Sequence, residues 1–126
     1  MKGQYKVKID VYGVVFTVAI GRKAIIASTY KDYKTDIVPH IDRSLGFVTG
    51  WGWCNESPWL VGFTKIPTSN IIAHESHHLV NFIMDHIGLK YDFTNDEPTA
   101  YLHGYVVEKI TEVVNKYVKR YGKKVD

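Results

Sequence analysis

The stretch Ile71-Ile72-Ala73-His74-Glu75-Ser76-His77-His78-Leu79-Val80 carries a fold signal and a chemical signal at once. At about 100° per residue, Ile72, Leu79, Val80, Ile83 and Ile87 gather on one side of a helix, and Ile71, His74, His78, Asn81 and Asp85 on the other. Pro67-Thr68-Ser69-Asn70 supplies capping residues ahead of it. Gly88 is a natural left-handed terminator behind it. The pattern predicts a helix over about 69–87, with its apolar side on a core and its histidines facing a cleft.

The chemical signal is H-E-x-x-H: His74, Glu75 and His78. Residues four apart on a helix lie one turn apart on the same side, so both imidazoles can present nitrogen to one cation. Glu75, next to the first histidine, can reach a water bound to that cation. Two neutral imidazoles with an adjacent carboxylate are what a catalytic zinc site of the hydrolytic kind requires. His77 points about 60° away from His74 around the helix, which suits solvent or a supporting role better than ligation.

Downstream, Thr94-Asn95-Asp96 offers a second cap, and Glu97-Pro98 opens a second helix expected over about 96–120, with fraying from Lys119 to Asp126. Its apolar stripe is Leu102, Val106, Ile110, Val113 and Tyr117. Glu97, Tyr101, Gly104, Tyr105 and Glu108 lie together on another face. Glu97 is the candidate third ligand, completing a two-histidine, one-carboxylate set with a position left for water. Its rivals are Asp96, Glu108 and Asp85, and the bland alternative is an acid serving the positive helix end.

Upstream, Tyr5, Val7, Ile9 and Val11 alternate with Lys6, Lys8 and Asp10, which reads as a strand; Val14 to Ile20 is its hairpin partner. Ala24 to Tyr30 fits either a strand or a helix start. Lys31 to Ile41 is polar and mixed, with Pro39 as a breaker. Leu45 to Gly50 and Trp59 to Thr64 suggest a second hairpin around a Trp51–Pro58 loop. The expected class is therefore α+β: a small, mainly antiparallel sheet over about 4–66, then two packed helices, in a single domain spanning 1–126.

Composition narrows the function classes. The chain has 126 residues, 45% hydrophobic and 23% charged, as a soluble globular domain does. A net charge of +3, with several basic residues at the chain ends, gives no reason to expect nucleic acid. Cys54 is the only cysteine, so no intrachain disulfide and no Cys-rich zinc knuckle can form. No run approaches the roughly 18 apolar residues of a membrane span, and the first ten residues lack the apolar run of a signal peptide. A cytoplasmic protein is expected.

With these residues in place, the chain resembles the gluzincins, zinc metallopeptidases whose third ligand is a glutamate on the helix after H-E-x-x-H. More narrowly, A-H-E-S-H-H followed by N-D-E-P-T-A-Y-L-H-G-Y is similar to small zinc-dependent, peptidase-like proteins of bacteriophages and prophages. The motif likeness spans about Ala73 to Tyr105. It implies a zincin-like fold, Zn held by His74, His78 and Glu97, Glu75 as general base, and a bacterial or phage-infected host cell. Larger gluzincins carry an acidic residue one turn after the glutamate ligand, where this chain has Tyr101. They also use an additional domain to supply an oxyanion-stabilising His or Tyr.

The leading expectation is a zinc-dependent peptidase-like hydrolase acting on a peptide or protein, with Trp59 to Thr64 as the strand that holds an extended peptide by edge pairing. The alternative is a zinc-stabilised module that binds a partner protein without turnover. Asn81 and Asp85 are candidates to hydrogen-bond the imidazoles or simply solvate the helix. Tyr101 and Tyr105 are read as packing aromatics able to reach an oxyanion. His86 and His103 read as surface or packing histidines, with His103 also a candidate to polarise substrate. Trp51 and Trp53 cover the sheet or form a recognition surface.

Overall fold

In the computed structural model, which describes residues 1–125, the period-two segments form strands β1 (Gln4–Ile9) and β2 (Val14–Ile20). They pair antiparallel around a turn in which Gly13 takes a positive φ of 64°. Two further strands, β3 (Gly46–Val48) and β4 (Trp59–Phe63), also pair antiparallel. The two hairpins join through β2 and β4, which run parallel, in a four-stranded sheet of order β1-β2-β4-β3.

That parallel join explains the segment the sequence left undecided. Parallel neighbours need a long crossover, because the chain must return to the same end of the sheet. Residues 22–28 become helix α1 (Arg22–Ser28), followed by a single 3₁₀ turn at Lys31–Tyr33 and a short helix α2 (Val38–Arg43). Pro39 sits in the first turn of α2, where its missing N–H costs nothing, so it starts a helix rather than breaking one. Ala24, Ile25, Ile37 and Ile41 from this crossover bury against Ala19, Leu60 and Phe47 on one face of the sheet.

The other face carries the two long helices, α3 (Ser69–Ile87) and α4 (Glu97–Tyr121). In α3 the Thr68 side chain accepts a hydrogen bond from the Ile71 N–H, and Gly88 ends the helix in the left-handed region at φ 75°. Ile72, Leu79, Val80 and Ile83 bury against Val18, Trp59, Val61 and Phe63. From α4, Leu102, Val106, Ile110, Val113 and Tyr117 join the same core. The α4 cap differs from expectation. Asp96 occupies the cap position without a side-chain bond, while Asp92 accepts from both the N–H and the hydroxyl of Thr94 one turn earlier. α4 stays helical through Tyr121, past the point where fraying was expected to begin; Asp126 lies outside the described residues.

The sheet order corrects one functional expectation. β4 is paired on both sides, by β2 and by β3, so Trp59 to Thr64 has no free edge to offer a peptide. The open edge on that side belongs to β3. Among the described residues, no helix is long and apolar enough to cross a membrane.

Ile110 is fully buried between α4 and the sheet. Ile110→Ala should destabilise the fold by about 2–5 kcal/mol in denaturant unfolding while leaving metal content unchanged. A loss below about 1 kcal/mol would mean that α4 is not packed on the sheet as described.

Candidate metal centre

Helix α3 presents three flanks, and each meets a different neighbour. The side opposite the histidines lies on the sheet. The flank bearing Glu75 faces edge strand β3. The flank bearing Ala73 and His77 faces α4, where the His103 Nε2 sits 3.4 Å from the Ala73 carbonyl oxygen and the His77 and His103 rings are 5.8 Å apart. His74 and His78 are exposed, on the side of α3 between those two flanks.

Their Nε2 atoms lie 3.2 Å apart. Two nitrogens each about 2.0–2.1 Å from a tetrahedral ion are separated by about 3.3 Å, so the pair already has the spacing of two ligands of one zinc-sized cation. The ligand atoms of His74, Glu75 and His78 all lie within 4.8 Å of one another, a group able to hold a metal ion.

Glu75 is the buried member, with only 6% of its surface exposed. Its carboxylate lies against β3 at Gly46, where a β-carbon would come within 3.2 Å of Glu75 Cγ and 3.3 Å of its Oε2. A side chain there would crowd both Glu75 and the Phe63 ring, whose Cδ1 would lie 3.1 Å away, so Gly46 eases the close approach of α3 to the edge strand. Burial pushes the Glu75 carboxyl above the ordinary carboxylate range, and the charges of His74 and His78 pull it back only in part. A proton-accepting group raised in this way is better matched to work near neutral pH than an exposed glutamate. Beside it opens a cleft of about 270 Å³ lined by Leu45, Gly46, Asn70, Ile71, His74 and Glu75.

Glu97, the candidate third ligand, is the first residue of α4 and is exposed. It stands outside the group formed by His74, Glu75 and His78, as do Asp85, Asp96 and Glu108. The His103–Ala73 contact sets the opening turns of α4 beside the His74 end of α3, with Glu97 six residues, or about 9 Å along the axis, ahead of His103.

Other candidates fall elsewhere. No hydrogen bond among the described residues joins Asn81 or Asp85 to either imidazole. Tyr101 and Tyr105 line a small apolar niche with Ile9, Val11 and Tyr12 of the first hairpin. His86 packs against Trp51 and Trp59, with ring centroids 4.8 and 5.5 Å apart, so it is a packing histidine. Trp51 keeps 60% of its surface exposed. Trp53 turns to the far face of the sheet and stacks on Tyr33 at 4.5 Å. Gly46 was missed by the sequence reading, although a glycine inside a strand pattern is a recognised sign of close approach by another group.

Comparison of the chain with protein-family models, curated proteins and solved structures found no match.

Glu75 also predicts a pH dependence of stability for the metal-free protein. Its native pKa lies above the unfolded value, so the native state binds more protons between the two. Stability therefore falls as pH rises through that window, and Glu75→Gln removes the loss. In chelator, the variant should melt above wild type at pH 7, with the gap closing as pH drops below the unfolded carboxyl value of about 4.3. Melting curves whose separation does not change with pH would show that Glu75 is not desolvated as described.

Proposed function

We propose that this protein is a zinc-dependent peptidase-like hydrolase of the minimal gluzincin kind. The observation that carries the reading is the placement of one buried carboxylate, Glu75, between a pair of metal-spaced imidazole nitrogens and the open edge of a β-strand. His74 and His78 would hold the ion from α3, and Glu97 would approach from α4 as the third ligand. Bound there, zinc would supply Lewis acidity toward a carbonyl oxygen and a water.

The chain's own groups do the rest. Glu75 would take the proton of the attacking water on its carboxylate and hand it to the leaving amine. Its raised affinity for a proton suits both halves of that transfer. Edge strand β3 would hold the peptide. The hydrogen-bonded pairs of the β3–β4 ladder are Leu45–Thr64, Phe47–Gly62 and Thr49–Leu60, as the bonds from Thr64 N–H to Leu45 O and from Thr49 N–H to Leu60 O mark. The alternation of an antiparallel ladder then turns the main-chain groups of Gly46 and Val48 outward. An extended peptide added there would lie alongside His74 and Glu75.

A second reading keeps the metal and drops the turnover: a zinc-stabilised protein, of the phage or prophage kind, that binds a partner protein. The exposed aromatics of the α3–α4 connector favour it. Tyr91 and Phe93 pack edge to face at 4.7 Å while Phe93 stays 89% exposed, a surface suited to a partner.

Elemental analysis and peptide cleavage separate the readings. Wild type should purify with one zinc per chain. His78→Ala should lose it, and Glu97→Ala should bind it roughly tenfold or more weakly. Glu75→Gln should keep zinc while cleavage falls at least about a hundredfold. Full cleavage by Glu75→Gln would overturn the mechanism. A zinc-loaded wild type that cuts no peptide would favour the partner-binding reading.

A further inference from the structure

Because β3 is a pleated edge strand, its two faces lead to two different places. Gly46 and Val48 face α3, the side of the metal group. Phe47 and Thr49 face the crossover helices. At that second face a separate pocket of about 140 Å³ is lined by His40, Phe47, Val48, Thr49, Gly50 and Trp53.

Its walls are aromatic and held in place. The Phe47 ring lies across Gly62, where a β-carbon would meet Phe47 Cζ at 2.5 Å. Trp53 is stacked on Tyr33, and the His40 ring stands edge-on to Trp53 at 5.9 Å and tilted to Phe47 at 5.6 Å. Among the described residues, no aspartate, glutamate, lysine or arginine lines it. The volume suits one large aliphatic side chain, not a second segment of backbone.

We infer that this pocket is a specificity subsite that takes a large apolar side chain of an extended peptide paired to β3. The inference rests on the peptide-binding role given to β3 above. The pleat supplies the link. In a peptide whose backbone bonds to the outward groups of Gly46 and Val48, the residue opposite Gly46 projects toward the metal group. Its neighbour, opposite Phe47, projects to the other face. That neighbour's side chain lands beside Phe47, at the mouth of the pocket. One short strand thus aligns a bond with Glu75 and reads the adjacent residue with His40, Phe47 and Trp53. The largely aromatic lining, which offers no carboxylate, lysine or arginine, favours Leu, Ile or Met over Asp or Lys, whose charge would lose water without gaining a partner.

The test separates binding from turnover. Zinc-loaded Glu75→Gln protein is titrated with acetylated, amidated heptapeptides of Ser and Thr in which one position at a time is Leu, Lys or Asp. Leu should be preferred over Lys and Asp on the order of tenfold at one position and not at its two neighbours. Adding Trp53→Ala should flatten that preference. Adding His40→Glu, at an exposed position that leaves the core intact, should move it from Leu to Lys. Loss of the preference in either background supports the subsite. No peptide bound at millimolar concentration, no apolar preference, or a preference unchanged by both substitutions would overturn it. Wild-type protein that cuts nothing, while the Glu75→Gln preference holds, would sink the hydrolase and leave the subsite standing. Cleavage without any such preference would do the reverse.

Discussion

A helix of 19 residues that buries one side on a sheet and leaves the opposite side open is the constraint on which the rest of this structure depends. Ile72, Leu79, Val80 and Ile83 fix its rotation, because turning it would bring apolar area back into water at roughly 25 cal/mol per Å². Once the rotation is set, His74 and His78 face outward. Glu75, about 100° further round, falls on the boundary between the open side and the sheet. Its burial is a consequence of its place in the helix. Desolvation of a carboxylate is unfavourable, and here the neighbouring imidazoles offset it only in part.

The boundary would be closed were it not for the strand that meets it. β3 has three residues and sits at the sheet edge because the chain leaves β2, crosses over through α1 and α2, and returns as β4 beside β2. β3 is the last part of that crossover and takes the only position open beside β4. Gly46 in this strand has no side chain to compete with Glu75, so the carboxylate and the strand edge come together. The topology that makes β2 and β4 parallel therefore also supplies the edge that borders the metal group.

The Ala73 and His77 flank of α3 meets α4. His103 against Ala73 brings the early turns of α4 beside the histidine end of α3, although the two helices are successive in the chain. A simple helical hairpin would have put the start of α4 at the far end of α3. The connector from Gly88 to Asp96 covers the difference.

The sequence by itself determined the two long helices, the first hairpin and the side of α3 that His74 and His78 share. H-E-x-x-H on a capped, amphipathic stretch required His74 and His78 to share a side, since helical periodicity needs no partner to act. The same periodicity marked the buried residues of α4, and period-two alternation marked the first hairpin. Only the tertiary structure decided which strand is the edge, since strand order depends on long-range pairing and any local reading is blind to it; hence the misplaced peptide-holding role of Trp59 to Thr64. The same holds for the burial of Glu75, the room made for it by Gly46, and the separation of Trp51 and Trp53 onto opposite faces. Each is settled by which surface packs against which, and contacts between residues distant in the chain decide that.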